Sequence, residues 1–320
     1  MAANTGVRAS PGLLKTVVSY ARLAKFEFVL DFYLALVVAW TALRPDARLD
    51  GVVLGTLVLY WLGQTGVLAA VMTLDDVNGV RDGSDQANYL GGSATELRPL
   101  RRKPLLTGAL TVQQALRFGH LAIVWGALWW IVAAAVAPHQ PAWVLVTAAL
   151  LLTLSVQYSW GLRLSYRGLG EALLLLSPAG FVVVPYGLAA GELPGLLLVE
   201  ALLFGFGQLL IGAYSNTNDI EGDAAVGRRT VAVLTSPRGN RIFLGALTAA
   251  NLLLIALPSV TGWGPWWFAA ALAPAAALRL RQYGSFLRTG DPLVARRRGV
   301  VTFRVTVACT VVANLLYLGW

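Results

Sequence analysis

The chain has 320 residues, of which 57% are hydrophobic and 13% charged, with a formal net charge of +9. A soluble domain carries about a quarter charged residues, so this composition excludes an ordinary soluble enzyme, a disordered chain and a disulfide scaffold. The single cysteine, Cys309, lies in an apolar stretch and reads as a small buried hydrophobe.

The first 27 residues carry Arg8, Lys15, Arg22 and Lys25 but lack the apolar core of a cleavable leader. They read as a short tail and a basic amphipathic helix on a membrane surface. Long uncharged windows follow. A bilayer core takes about 20 apolar residues per helix, and lipid forces each backbone amide to pair within its own helix. The windows predict an all-α polytopic protein with nine spans, at 28–43, 52–73, 118–137, 142–159, 172–190, 195–214, 242–260, 265–280 and 300–319. Residues 28–320 then form one transmembrane domain around a central apolar cavity. Nine spans place 23 of the 25 basic residues on one side and only Arg44 and Arg48 on the other. That asymmetry makes the first side cytoplasmic, with the N-terminus and the loops 74–117 and 215–241 facing the cytoplasm, in a bacterial-type cytoplasmic membrane. Because the positive charges flank apolar runs, the partner they imply is the lipid bilayer and not nucleic acid.

Both long loops on that side are acidic. The first begins Asp75, Asp76 and continues to Asp82 and Asp85; the second contains Asp219, Glu221 and Asp223. Seven of the 16 acidic residues fall in these two short segments. They follow equivalent spans, which predicts two pseudo-repeated four-helix halves plus a ninth helix. Like charges at helical spacing repel, and more strongly beside low-dielectric lipid. A hard divalent cation relieves this, and Mg²⁺ characteristically bridges carboxylates to phosphates. The surrounding cations fit an anion: Arg98, Arg101, Arg102 and Lys103 after the first run, Arg163 and Arg167 after the fourth span, Arg228 and Arg229 after the second run.

These features describe a Mg²⁺–diphosphate site at a membrane boundary above an apolar interior. A lipid-tailed diphosphate suits it, and isoprenyl diphosphates are the class expected. Neutralising the leaving group ionises their allylic C–O bond. The cation then needs a dry pocket with π faces, for which Tyr158, Trp160, Tyr166 and Tyr214 near the span ends are candidates, Trp61 also being near one.

The chain resembles the UbiA superfamily of intramembrane aromatic prenyltransferases, in particular the branch that prenylates dihydroxynaphthoate. The second motif, Asp219-Ile220-Glu221 with Asp223, Gly227, Arg228, Arg229 and Thr230, is similar to D-I-E-x-D-x-x-x-G-[KR]-R-T. Asp76, Gly83 and Asp85 match N-D-x-x-D-x-x-x-G-x-D, whereas Asp75 replaces its Asn and Gly79 its second Asp. Lys103-Pro104-Leu105 with Gly108 resembles R-P-L-x-x-G, and Tyr166 to Glu171 resembles Y-x-G-L-G-E. The resemblance implies nine helices and Mg²⁺ held by Asp76, Asp82, Asp85, Asp219 and Asp223, with Asp75 as a further ligand. It implies that Lys103, Arg163, Arg228 and Arg229 bind diphosphate, and that Asn218 orients a metal-bound water. Asp31, an acid inside the first span, is expected either to act on an acceptor or cation or to form a salt bridge. His120 and His139 read as interfacial histidines. The expected reaction transfers the prenyl cation to an aromatic acceptor. The alternatives are cyclisation without an acceptor, as in some relatives, and transport; a CDP-alcohol phosphotransferase is disfavoured because Asp82-Gly83 lacks the following Ala-Arg.

Overall fold

The computed structural model describes residues 12–90 and 99–319, and every regular element among them is helical. Arg8 and Arg98 lie outside the described residues. Helix α1 (Leu13–Leu23) is amphipathic, with Leu13, Leu14 and Val17 exposed on one side and Lys15 and Arg22 available to headgroups. It breaks at Lys25, whose φ of 51° turns the chain into α2 (Phe26–Thr41). A short α3 (Pro45–Arg48) then leads to α4 (Gly51–Asp82).

Helix α4 is 32 residues long, or about 48 Å at 1.5 Å per residue, against a hydrocarbon core of about 30 Å. Its last turns therefore rise past the apolar layer and carry Asp75, Asp76 and Asp82 with them. The predicted span ends at residue 73, where hydropathy falls; the helix ends only at Gly83, whose φ of 87° suits a C-cap glycine. Most of the predicted loop is thus helix, continued by α5 (Ser84–Leu90) and a 3₁₀ turn at Leu100–Arg102. Helix α6 (Val112–Val136) opens on a capping box formed by Thr111 and Gln114. It packs on α4 so closely that a Cβ at Gly66 would sit 2.6 Å from the Ala122 carbonyl oxygen, the small-residue contact typical of membrane helices.

The next elements are α7 (Ala142–Val156), α8 (Gly170–Ala190) and α9 (Gly195–Asn218). Two short helices, α10 (Ile220–Ala225) and α11 (Val231–Leu234), precede α12 (Pro237–Thr261). The eighth predicted window is split between α13 (Phe268–Ala271) and α14 (Ala273–Thr289). Pro274 lacks an amide hydrogen and restarts the helix there. Helix α15 (Pro292–Leu318) closes the bundle.

Helices α4, α6, α8, α9, α12 and α15 are long and apolar enough to cross a membrane. Each of the nine predicted windows falls on helix, but α2, α7 and α14 have 16, 15 and 17 residues, so the count of nine spans is not fixed by length. Leu121 and Ile131 on α6 and Leu253 and Val260 on α12 face outward, between 67% and 82% exposed. Such a girdle is stable only against lipid, and the protein is an integral membrane protein. The main core lies between α2, α4, α6 and α8, where Tyr60 stacks on Trp130 at 5.0 Å and Phe181 meets Phe32 edge-on at 6.3 Å.

Candidate functional site

A cavity of about 650 Å³ opens at the end of the bundle where α4 and α9 finish. Its mouth is built from four stretches that are distant in sequence. Helix α4 contributes Asp75 and Gly79, α5 contributes Asp85, and the joint before α2 contributes Lys25. Lys103 follows the 3₁₀ turn, Asp219 and Asp223 flank the start of α10, and Arg228 follows it.

Local backbone geometry sets the second group. The Asp219 amide donates back to the Ser215 and Asn216 carbonyls, ending α9, and the Asp223 amide donates to the Asp219 carbonyl at 2.8 Å, starting α10. Gly227, with φ of 73°, reverses the chain so that the Arg228 amide reaches the Asp223 carbonyl at 2.9 Å. The Arg228 side chain then spans the two acidic runs, 3.4 Å from Asp75 and 3.9 Å from Asp223. Glu171 fixes the neighbouring wall by accepting from Asn216 Nδ2 and the Val231 amide, each at 3.0 Å.

In the first group, Lys103 Nζ donates to Asp76 at 2.8 Å and to both Asp85 oxygens at 2.7 Å. Lys25 Nζ lies 2.9 Å from Asp76 and 3.5 Å from Asp75. Burial opposes the charge on Lys103, but Asp76 and Asp85 outweigh it and hold its pKa above the ordinary lysine value. Arg228 is likewise opposed by burial and held charged by Asp75 and Asp223, with Tyr158 adding to the effect. Asp85 moves the other way: burial, reinforced by Asp76, raises its pKa despite Lys103.

The donor set suits a hard divalent cation. Asp76 is fully buried and its Oδ2 has no hydrogen-bond partner among the described residues, an oxygen that costs free energy unless something positive meets it. The carboxylates are already gathered around ammonium groups. Yet among the described residues no three His, Cys, Asp or Glu side chains form a metal cage by themselves. Two half-sites facing one cavity match the habit of Mg²⁺, which keeps waters and reaches carboxylates and phosphates together. The departure at Gly79 has a counterpart here. A Cβ at that position would lie 2.7 Å from Asp85 Cγ, so the Asp85 carboxylate occupies the space a side chain at 79 would need.

Of the residues singled out from sequence, Asp75, Asp85, Asp219, Asp223, Lys103, Arg228 and Tyr158 line the cavity, and Asp76 sits behind its wall. Asn218 donates to Asp219 Oδ1 at 3.0 Å and so orients a carboxylate. Others are placed elsewhere. Asp82 does not line the cavity; it accepts from the Ser84 amide at 3.0 Å, from Arg163 at 3.2 Å and from the Tyr166 hydroxyl. The turn at Gly83 swings Asp85 over Gly79 and leaves Asp82 against the loop after α7. Arg163, with φ of 50°, stacks on Tyr166 at 3.7 Å outside the cavity lining, and Arg229 is exposed. Trp160 packs beside His120 under Arg81. Tyr214 is buried against Phe286 on the far side of α9. Asp31 pairs with Arg304 at 2.8 Å and clasps α2 to α15. Of the four predicted pocket aromatics, only Tyr158 lines the cavity; Phe26, Phe28, Phe32, Tyr89 and Phe181 supply the other rings.

Sequence reasoning missed Lys25, whose signal is a basic residue at a helix joint. It also passed over Glu200, a second acid inside a span, 1% exposed and bonded to Asn314 at 3.1 Å.

A search of curated proteins finds no match. Among solved structures, a UbiA homologue from Archaeoglobus fulgidus bound to GPP and Mg²⁺ superposes with a TM-score of 0.66 at 16% identity, covering 92% of this chain and 99% of that one. A digeranylgeranylglyceryl phosphate synthase gives 0.64 at 12% identity over 94% and 99%. An apo UbiA homologue from Aeropyrum pernix K1 gives 0.61 at 18% over 90% and 96%. At these identities the likeness is one of fold. The model of the UbiA prenyltransferase family matches residues 31–305, a stretch that holds both acidic runs and all but one of the mouth's cations, and on that match the chain belongs to the UbiA prenyltransferase family.

Proposed function

We propose that the protein is a Mg²⁺-dependent enzyme that ionises an isoprenyl diphosphate and transfers the prenyl group to an aromatic acceptor, releasing diphosphate. The observation that carries this reading is the mouth itself: two acidic runs joined by Arg228, with Lys25 and Lys103 among them, above a cavity walled by Phe28, Phe32 and Phe181. The A. fulgidus homologue binds GPP or DMAPP with Mg²⁺, which supports the same ligand class here.

In this reading Asp75, Asp76, Asp85, Asp219 and Asp223 hold the metal, which neutralises charge developing on the leaving diphosphate. Lys103, Lys25 and Arg228 transfer contacts from carboxylate to phosphate oxygens and stabilise the same charge. The C1–O bond breaks with its electrons on diphosphate, and the aromatic wall shields the allylic cation from water. Asp82 and Arg163 then serve to set the loop that presents Tyr166, which stacks beneath Arg228 at 4.9 Å. We place the mouth on the cytoplasmic side, with nine spans in one domain over residues 28–320 and α1 on the leaflet surface.

Purified protein incubated with C10, C15 and C20 prenyl diphosphates should release diphosphate only with Mg²⁺ present. Asp76→Ala and Asp219→Ala should each abolish that release while retaining helical content and a cooperative melt. Normal turnover in both variants would remove the site assignment.

A further inference from the structure

Beneath the charged mouth the cavity wall is not uniformly apolar. Gln208 on α9 lines it, is 3% exposed, and its Nε2 has no hydrogen-bond partner among the described residues. Ser155 on α7 and Ser177 on α8 also line it, their hydroxyls 3.0 Å apart. The helix registers put the three in one layer. Glu171 and Asn216 are level, because they share a hydrogen bond. Ser177 lies six residues below Glu171 and Gln208 eight below Asn216, so about 9 and 12 Å down at 1.5 Å per residue. Gln208 and Asp219 are eleven residues apart, close to three whole turns, and therefore face the same cavity. From the other wall, Ser155 lies one turn below Ser159, whose hydroxyl bonds to Asp75.

A hydrogen-bonding layer thus lies about 9–12 Å beneath the Glu171–Asn216 level of the mouth. It has an unmet need: a buried amide N–H left unpaired is destabilising, and an isoprenoid chain offers nothing to accept it. A cyclase also has reason to avoid this arrangement, since hydroxyl and amide oxygens beside a carbocation capture it. We infer that Gln208, with Ser155 and Ser177, is the subsite that holds the oxygen of a second, aromatic substrate, so that the cation is transferred and not cyclised. The inference rests on the prenyl-diphosphate reading above. The acceptor's oxygen takes the Gln208 N–H, and its ring lies up towards Tyr158 and C1. The apolar wall formed by Phe32, Leu68 and Phe181 is left for the prenyl chain. In the transfer, the C1–O electron pair leaves on diphosphate, the ring supplies the pair for the new bond to C1, and the proton shed by the ring goes to the released diphosphate.

The test uses the full chain with Mg²⁺ and geranyl, farnesyl or geranylgeranyl S-thiolodiphosphate, which resist ionisation. Binding of 4-hydroxybenzoate and 1,4-dihydroxy-2-naphthoate is titrated onto that complex. At least one phenol should bind the wild type, and Gln208→Leu should weaken it about tenfold with thiolodiphosphate affinity unchanged and Gln208→Asn recovering part of the loss. In turnover with ordinary prenyl diphosphates, the same variant should raise the phenol's KM and leave the prenyl KM alone. Equal phenol binding by wild type and Gln208→Leu, no phenol binding by the wild type, or cyclic hydrocarbon formed without acceptor would each overturn the subsite. Absence of Mg²⁺-dependent thiolodiphosphate binding to the wild type would overturn the underlying reading, and the subsite with it.

Discussion

Replacing Gly79 with alanine sets two effects of opposite sign against each other. Gly79 lies inside α4, where alanine is intrinsically better by about 0.5–1 kcal/mol. If the space beside it were open, Gly79→Ala would stabilise the protein. The new Cβ, however, would stand 2.7 Å from Asp85 Cγ and 2.9 Å from both of its oxygens. Ordinary contact requires about 3.5–4.0 Å, so Asp85 must retreat by about 1 Å. Its two oxygens accept from Lys103 at 2.7 Å, and a retreat of that size takes both beyond hydrogen-bond range. A charge-assisted bond between buried groups is worth about 1.5–3 kcal/mol, which exceeds the propensity gain. Gly79→Ala is therefore expected to melt lower than wild type, by a net loss of about 1–2 kcal/mol. A 1 Å misplacement of a site group also lowers turnover by about a hundredfold. Thermal melts in detergent and Mg²⁺-dependent diphosphate release measure the two quantities. Adding Asp85→Ser should erase most of the stability penalty, because the clash partner is gone, giving a clear coupling in the double-mutant cycle. A higher melting temperature with unchanged turnover in Gly79→Ala would refute the reasoning.

Lys25→Met removes one of the two ammonium groups that touch Asp76. Mg²⁺ affinity in the absence of diphosphate should rise, since a competing cation is gone, while prenyl diphosphate affinity should fall about tenfold for the loss of one phosphate contact; calorimetry showing both moving the same way would contradict the stand-in role of the lysine. Asp82→Asn should leave Mg²⁺ affinity within about threefold of wild type and cost about 1 kcal/mol of stability or less, because Arg163 is 41% exposed and its ion pair is screened. Loss of Mg²⁺ binding in that variant would return Asp82 to the metal site. Glu200→Gln should be neutral or stabilising, as it keeps an acceptor for Asn314 and removes an acid whose Oε1 has no partner among the described residues. Glu200→Ala should cost about 1–3 kcal/mol by leaving the buried Asn314 amide with only its long 3.4 Å bond to Thr41, read as a lower melting temperature.

The parts of this protein that a sequence reveals are those fixed by local chemistry. Apolar windows predict helices because lipid allows nothing else, and each predicted window falls on helix. The second motif was legible for the same reason: the α9 terminus, the α10 start and the Gly227 reversal lie within a dozen residues and place Asp219, Asp223 and Arg228 by backbone geometry alone. The first motif was legible in composition but not in direction. Hydropathy falls at Asp75, yet the helix runs on to Asp82, because Lys25 and Lys103 arrive from outside that stretch and offset the repulsion between its carboxylates. Helical spacing groups Asp82 with Asp75, and only the turn at Gly83 shows that Asp85 is the residue brought back over Gly79. Aromatic residues near span ends were equally ambiguous. Tyr158 and Tyr214 look alike in sequence, and only the packing shows that Tyr158, after α7, faces the cavity while Tyr214, on α9, meets Phe286.

The same logic accounts for the charges left inside the bundle. Arg279 is 1% exposed, donates to Asn251 at 3.1 Å and to Gln282 at 2.6 Å, and has no acid partner in these bonds. Glu200, Asp31 and Arg48 are further buried ionisable groups, held by helices from both ends of the chain. A buried charge is tolerable only where its partners are fixed in advance, so each such group favours one arrangement of the helices around it. Asp31 with Arg304 fixes α2 against α15, and α2 carries Phe28 and Phe32 into the cavity and begins at Lys25. The clasp does not touch the charged mouth, but Asp31 lies on the same helix that Lys25 opens, so it sets the wall on which that mouth stands.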